Sequence, residues 1–105
     1  MSIFTLFNTR AEKQLAHTLV DALASNISPT LMTERRTALS VNKITRLLEK
    51  SFETAIAHQR EHAMGYFRRV VFLNSFRWEL RQKNYPEDFI QTAVEGMLVA
   101  LTTAK

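Results

Sequence analysis

Apolar residues recur at steps of three and four positions through most of this chain, and that spacing places them on one face of an α-helix. Two glycines and two prolines are the only residues of those types among the 105. The pairs Asn-Gly, Asp-Gly and Gly-Gly, which are typical of tight β-hairpins, do not occur in the sequence. The sequence therefore predicts an all-α fold.

The first helix is expected to begin near Asn8 or Thr9, since either side chain can cap a helix. It is expected to end at 25–27, because Pro29 disfavours helical geometry in the residue before it and cannot donate a backbone hydrogen bond. Pro29 then suits the first position of a short helix or turn that reaches about Thr37. The apolar stripe of the first helix is Ala11, Leu15, Leu19, Ala22, Leu23 and Ile27.

A long helical pattern follows from Ser40, whose side chain can cap a helix, to Lys83. Gly65 interrupts it, so the pattern predicts either one central helix of about 60 Å at 1.5 Å per residue or a kinked pair of helices. A strand over 66–73 is the competing interpretation, and helix is favoured because no partner strand is visible. The residues at 70–76 are apolar nearly all round the helix, which places them at the centre of the fold or under a second subunit. The first part of the apolar stripe is Val41, Ile44, Leu48, Phe52, Ala55 and Ile56. The pattern continues through Ala63, Phe67, Val70, Val71, Leu73, Trp78 and Leu80.

The last helix is expected to begin at Pro86, with Glu87 and Asp88 near the positive end of its dipole. Gly96 would let a neighbouring backbone come close. One broad buried face is predicted for Phe89, Ile90, Ala93, Val94, Met97, Leu98 and Leu101. The fold expected from these patterns is a single all-α domain over residues 1–105. It is a small bundle of about four helices, one of them short, and it is completed by dimerisation because its apolar faces exceed what a small monomer hides.

Composition limits the classes of function. The chain has no cysteine, which excludes a disulfide framework and a thiol nucleophile. No apolar run approaches the ~20 residues that span a bilayer, and the first residues lack the basic start of a secretory signal. Gly65 and Gly96 are too isolated for a phosphate-binding loop. We therefore expect a cytoplasmic protein with no membrane partner, no cofactor and no metal.

One short motif resembles a zinc site. The segment from His58 to His62 fits the pattern H-x-x-E-H of the inverted zinc peptidases, in which two histidines one helical turn apart hold zinc. The resemblance covers five residues, and the chain is too small for the fold of those enzymes. We therefore interpret the two histidines as surface or subunit-facing residues of a helix.

A second short segment, Ser40 to Leu48, resembles the recognition helix of helix-turn-helix proteins, in which polar residues at the helix start face the base edges of DNA. The resemblance implies that Lys43 and Arg46 contact nucleic acid. The preceding residues depart from the family pattern, because Thr37 is polar and Ala38 stands at the usual turn glycine.

The clearest electrostatic feature is an arginine-rich stretch. Residues 68–83 carry five basic side chains and one acidic one, a net charge of +4 that equals that of the whole chain. Aromatic residues lie between the arginines, a combination that binds phosphates and stacks on bases in single-stranded nucleic-acid sites. The same spacing is also typical of a helix whose aromatic residues are in the core and whose arginines are exposed to solvent. The candidate binding residues here are Arg68, Arg69, Arg77 and Arg81.

The leading hypothesis from the sequence is a non-enzymatic helical module that self-associates and binds an unidentified protein partner. The alternative is a small basic DNA- or RNA-binding regulator. It would use the helix-turn-helix-like segment or the arginine-rich helix.

Overall fold

The computed structural model describes residues 9–34 and 41–104. Over those residues the chain is helical, as the sequence predicts, with four long helices and one short one. They are α1 (Arg10–Asn26), α2 (Pro29–Glu34), α3 (Val41–His62), α4 (Tyr66–Gln82) and α5 (Glu87–Thr103). The expected caps Asn8 and Ser40, and the turn residues Thr37 and Ala38, lie outside the described residues. None of the helices described is long and apolar enough to cross a membrane.

The central pattern forms two helices rather than one. Helix α3 ends at His62, and Ala63 adopts a left-handed backbone with φ of 50°. The amide of Met64 donates to the carbonyl of Gln59 at 3.0 Å, which completes a Schellman cap. Gly65 has an ordinary extended conformation and stands at the N-cap of α4. The chain thus turns at Ala63, and a continuous helix does not form.

The turn between α4 and α5 repeats this device. Asn84 has φ of 67°, a conformation that asparagine tolerates better than most residues. The amide of Tyr85 donates to the carbonyl of Leu80 at 3.3 Å. The Tyr85 hydroxyl then donates to the carbonyl of Ile27 at 2.6 Å in a buried position, and burial raises its pKa to about 12. This contact ties the turn to the residue that follows α1.

The four long helices form a bundle in which each packs against two others. Helix α1 packs on α4 and α3, and α5 packs on the same two helices. Ion pairs from Glu12 to Arg68 and from Asp21 to Lys83 join the starts and the ends of α1 and α4, so these two helices run parallel. Helices α4 and α5 are antiparallel, and Arg81 pairs with Glu87 beside their connecting turn.

The buried apolar residues of the long helices belong to one core. Phe72 and Phe76 of α4 are fully buried at its centre, with their rings 6.0 Å apart. Gly96 of α5 faces the ring of Phe52 on α3, where a Cβ would lie 2.8 Å from the ring. The close neighbour at Gly96 is therefore a side chain and not a backbone. The other large, fully buried apolar residues are Val20, Leu23, Ile27, Leu80, Ile90, Met97 and Leu101.

Eight residues assigned to apolar stripes are exposed instead: Ala11, Ala22, Val41, Ala63, Phe67, Val70, Trp78 and Leu98. Ala11 and Ala22 lie at the edge of the stripe of α1, and Ala22 faces the open cleft between α1 and α3. Val41 is the first residue of α3, before the part of that helix that enters the core, and is 76% exposed. Leu98 lies on the flank of α5 that no other described helix covers and is 43% exposed. Periodicity identifies the correct helices but overestimates the width of their buried faces.

Candidate interaction face

Exposed apolar side chains concentrate on two helices. Seven large hydrophobic residues are exposed in the described parts of the chain, and six of them belong to α4 and α5; the seventh is Val41. Their exposed fractions run from 37% to 78%. Tyr66, Val70 and Leu98, which we call the α4/α5 face, line one groove between these helices. Trp78 lines a separate cleft with Lys13 of α1, and Phe67 and Val99 line neither.

A groove runs between α4 and α5 on this face. It has a volume of about 440 Å³ and opens to solvent, so its size falls in the range of ligand-binding clefts. Its apolar lining comes from Tyr66, Val70 and Leu73 on α4 and from Val94 and Leu98 on α5. The polar residues that line it are Arg69, Asn74, Arg77, Glu95 and Thr102. We call this cleft the α4/α5 groove.

The two walls of the groove carry charges of opposite sign. Arg69 and Arg77 belong to the α4 wall, and Glu95 belongs to the α5 wall. Arg69 is held in place because its Nε donates to Oε1 of Gln59 at 3.1 Å. Glu95 accepts a hydrogen bond from Gln91 at 3.1 Å and is exposed. A molecule seated in the groove therefore meets cations along one side and an anion along the other.

The arginine-rich stretch is largely paired within the molecule. Arg68 turns inward and binds Glu12, Arg81 pairs with Glu87 at 2.9 Å, and Lys83 pairs with Asp21 at 3.0 Å. The hydrogen bond from Arg81 holds the pKa of Glu87 below its usual value. Of the four arginines in the predicted patch, Arg69 and Arg77 line the groove and the other two are ion-paired, so the stretch does not form one continuous basic surface.

The other two predicted contact residues, Lys43 and Arg46, lie on a different helix. Both are exposed in the first turns of α3, and exposed Lys50 lies on the same stripe, four residues beyond Arg46. Helix α3 contributes no residue to the α4/α5 groove. The structure therefore separates the two sets of basic residues that the sequence singled out.

A buried charge cluster joins α1, α3 and α4. The Glu12 side chain is fully buried, and its two oxygens accept hydrogen bonds from Nε and Nη2 of Arg68, both at 3.0 Å. Nε2 of His58 lies 2.8 Å from Glu12 Oε2. Burial alone would raise the pKa of Glu12, but the hydrogen bonds and charges of Arg68 and His58 outweigh burial and lower it. This cluster fixes α1 against the point where the chain turns from α3 into α4.

His58 of the H-x-x-E-H segment, interpreted above as a surface or subunit-facing residue, is only 13% exposed and takes part in this cluster. The rings of His58 and His62 lie 4.4 Å apart, while Glu61 between them in sequence is exposed. Among the described residues, no group of three or more acidic or histidine side chains could hold a metal ion. Nothing in this part of the chain supplies the third ligand that a zinc peptidase needs.

Sequence reasoning missed Glu12. A signal was present, since Glu12 precedes Ala16, Leu19 and Leu23 at helical spacing and so occupies a position that the stripe assigns to an apolar residue. A carboxylate at such a position is rarely buried without a charged partner. The partner, Arg68, is 56 residues away in the sequence.

A third, smaller cleft lies on the opposite side of the bundle, between α1 and α3. Its volume is about 160 Å³, and exposed Ala22 is part of its lining.

No known protein family, curated protein or solved structure matches this chain.

Proposed function

We propose that this protein is a non-enzymatic helical interaction module that associates with a second copy of itself through the α4/α5 face. The single observation that carries the proposal is that three exposed hydrophobic residues, Tyr66, Val70 and Leu98, line one open groove between two adjacent helices. Contiguous exposed apolar surface in a small globular domain is typical of a protein interface. A two-fold dimer is the commonest closed assembly, and it buries the same patch on both copies.

The makeup of the face supports a protein partner. Tyr66 supplies aromatic surface and Arg69 and Arg77 line the same groove. Aromatic residues and arginine are enriched at the centres of protein interfaces. Arg77 lines the same groove as the apolar residues, so its charge does not form a separate patch. The opposite charges of the two walls fit a partner that also carries both signs, and a second copy meets that requirement.

We assign no catalytic role to the buried charge cluster. The carboxylate of Glu12 is fully buried, and both of its oxygens are occupied by Arg68 and His58. A general base must reach a substrate proton, and this carboxylate is enclosed by its own partners. A structural role for the cluster is the simpler proposal.

Self-association is tested by replacing one residue of the face. Leu98→Asp places a charge in the apolar lining of the groove and should shift the protein to monomer, measured by light scattering on a sizing column over a dilution series. Val41→Asp is the matched control, because Val41 is also an exposed aliphatic residue but lies outside the face. The proposal predicts a dimer for the wild type and for V41D. A wild type that stays monomeric at all concentrations would overturn it and direct the search to a helix of another protein.

Nucleic-acid binding is the second candidate, and one observation favours it. Lys43, Arg46 and Lys50 form an exposed basic stripe on the first turns of α3, distant in sequence from the α4/α5 face. Phosphate contacts made by such a stripe lose affinity steeply as salt rises. Titration of labelled duplex DNA and of RNA at low and moderate salt tests it, with K43A/R46A as the variant. Absence of salt-sensitive binding at low salt would reject this candidate and leave self-association untouched.

A further inference from the structure

We infer that the two copies are related by a two-fold axis running along the α4/α5 groove, so that Glu95 of each copy lies against the arginine wall of the other. This inference rests on the proposed self-association and specifies its geometry. It makes Glu95, Arg69 and Arg77 the residues that determine how the copies pair.

The charges of the groove walls favour a two-fold axis along the groove over a two-fold axis across it. A two-fold axis across the groove would set α4 against α4 and α5 against α5, with Arg69 and Arg77 of both copies facing each other. An axis along the groove sets the α4 wall of each copy against the α5 wall of the other, and opposite charges then meet twice. Like charges brought together at an interface oppose association, whereas complementary ones favour it.

The register along the groove supports the same pairing. The ion pair between Arg81 and Glu87 sets these residues level in the antiparallel pair of helices. Leu73 lies eight residues before Arg81 on α4, and Glu95 lies eight residues after Glu87 on α5. Because the two helices are antiparallel, Leu73 and Glu95 are level. Arg69 and Arg77 lie four residues to either side of Leu73, about 6 Å along the helix axis. Rotation about a two-fold axis along the groove does not change the height of a residue along that axis. Glu95 of one copy therefore faces the α4 wall of the second copy at a point midway between Arg69 and Arg77.

The same count places the apolar contact. Val70 is level with Leu98, and both line the groove and are exposed. Under this axis Leu98 of each copy packs against Val70 of the other, beside the charged contacts. Apolar side chains thus fill the interface between the copies, and the charges on the walls determine the direction of the two-fold axis.

Charge reversal tests the inference. Glu95→Arg should weaken self-association about tenfold or more, because each dimer contains the repulsive contact twice. Arg77→Glu should weaken it by a smaller factor, since Arg69 remains on the same wall. Glu53→Arg is the control, an equal change of charge at an exposed residue of α3 outside the groove, and it should leave the dimer affinity unchanged.

Mixing the two variants is the decisive step. The groove walls of an E95R copy and of an R77E copy carry complementary charges. The two variants, one of them isotope-labelled, should therefore form a mixed dimer in preference to either variant's own dimer. Native mass spectrometry measures the proportions of these dimers. Formation of the mixed dimer also shows that both variants are folded. If L98D abolishes the dimer while E95R and the mixture behave like the wild type, the axis is wrong and the proposed face stands. If the wild type is monomeric, both proposals fail.

Discussion

At the scale of single residues, the buried carboxylate of Glu12 is the feature that most departs from a simple amphipathic pattern. Its bidentate contact with Arg68 and its contact with His58 make burial of the charge tolerable. The stripe of α1 could be predicted from its apolar residues, but the pairing depends on residues 46 and 56 positions away. Local periodicity contains no information on such contacts, so the cluster could not be predicted from the sequence.

Glu12→Gln should destabilise the fold by about 3 kcal/mol, because it leaves the partly buried charge of Arg68 without its carboxylate. Urea unfolding at neutral pH measures the loss. Glu53→Gln, the same change at an exposed glutamate of α3, should alter the free energy of unfolding by less than about 0.5 kcal/mol. Equal stabilities for the two variants would show that the cluster does not stabilise the bundle.

The same variant gives a pH signature. The folded state lowers the pKa of Glu12 from 4.5, so the stability from its ionisation is complete above that pH and is lost as pH falls through the lower folded value. The stability difference between wild type and E12Q should therefore be constant from pH 6 to about 5 and shrink as the pH falls below about 4.5. A difference that grew on acidification would contradict the assigned direction of the shift.

At the scale of helices, the sequence predicts the elements well and their ends less well. Pro29 and Pro86 mark real boundaries because proline restricts the backbone wherever it stands. Gly65 was identified as the point of interruption, yet the left-handed residue is Ala63 and Gly65 has a negative φ. Alanine carries no sequence signal for that conformation, so the hydrogen bond from Met64 to Gln59 that holds it could not be anticipated.

Ala63→Gly should stabilise the protein by about 0.5–1 kcal/mol, because glycine adopts the left-handed conformation without steric strain and the relief exceeds the added entropy of the unfolded chain. Ala57→Gly is the matched control within the same helix. Ala57 is exposed in the interior of α3, and glycine there should destabilise by about 1 kcal/mol. Thermal unfolding of both variants checks the prediction, and a loss of stability in A63G would mean that Ala63 is not left-handed in solution.

At the scale of the whole molecule, the all-helical bundle follows from periodicity, whereas the α4/α5 face does not. Leu98 and Val70 continue apolar patterns that predict core residues, and only the packing of the other helices shows that this side is exposed. The arginine-rich stretch similarly divides into Arg68, which turns inward, and Arg77, which lines the groove. Which residues remain at the surface is decided by contacts between helices and not by the sequence within one helix.

The most direct test of self-association through this face is a distance measurement between copies. The chain has no cysteine, so nitroxide labels can be placed singly at Asn74→Cys beside the groove or at Ala22→Cys beside the opposite cleft. Spin–spin distances in the assembled protein should be clearly shorter for labels at position 74 than for labels at position 22. Equal distances, a shorter distance at position 22, or no coupling at either position at high concentration would contradict association through the α4/α5 face.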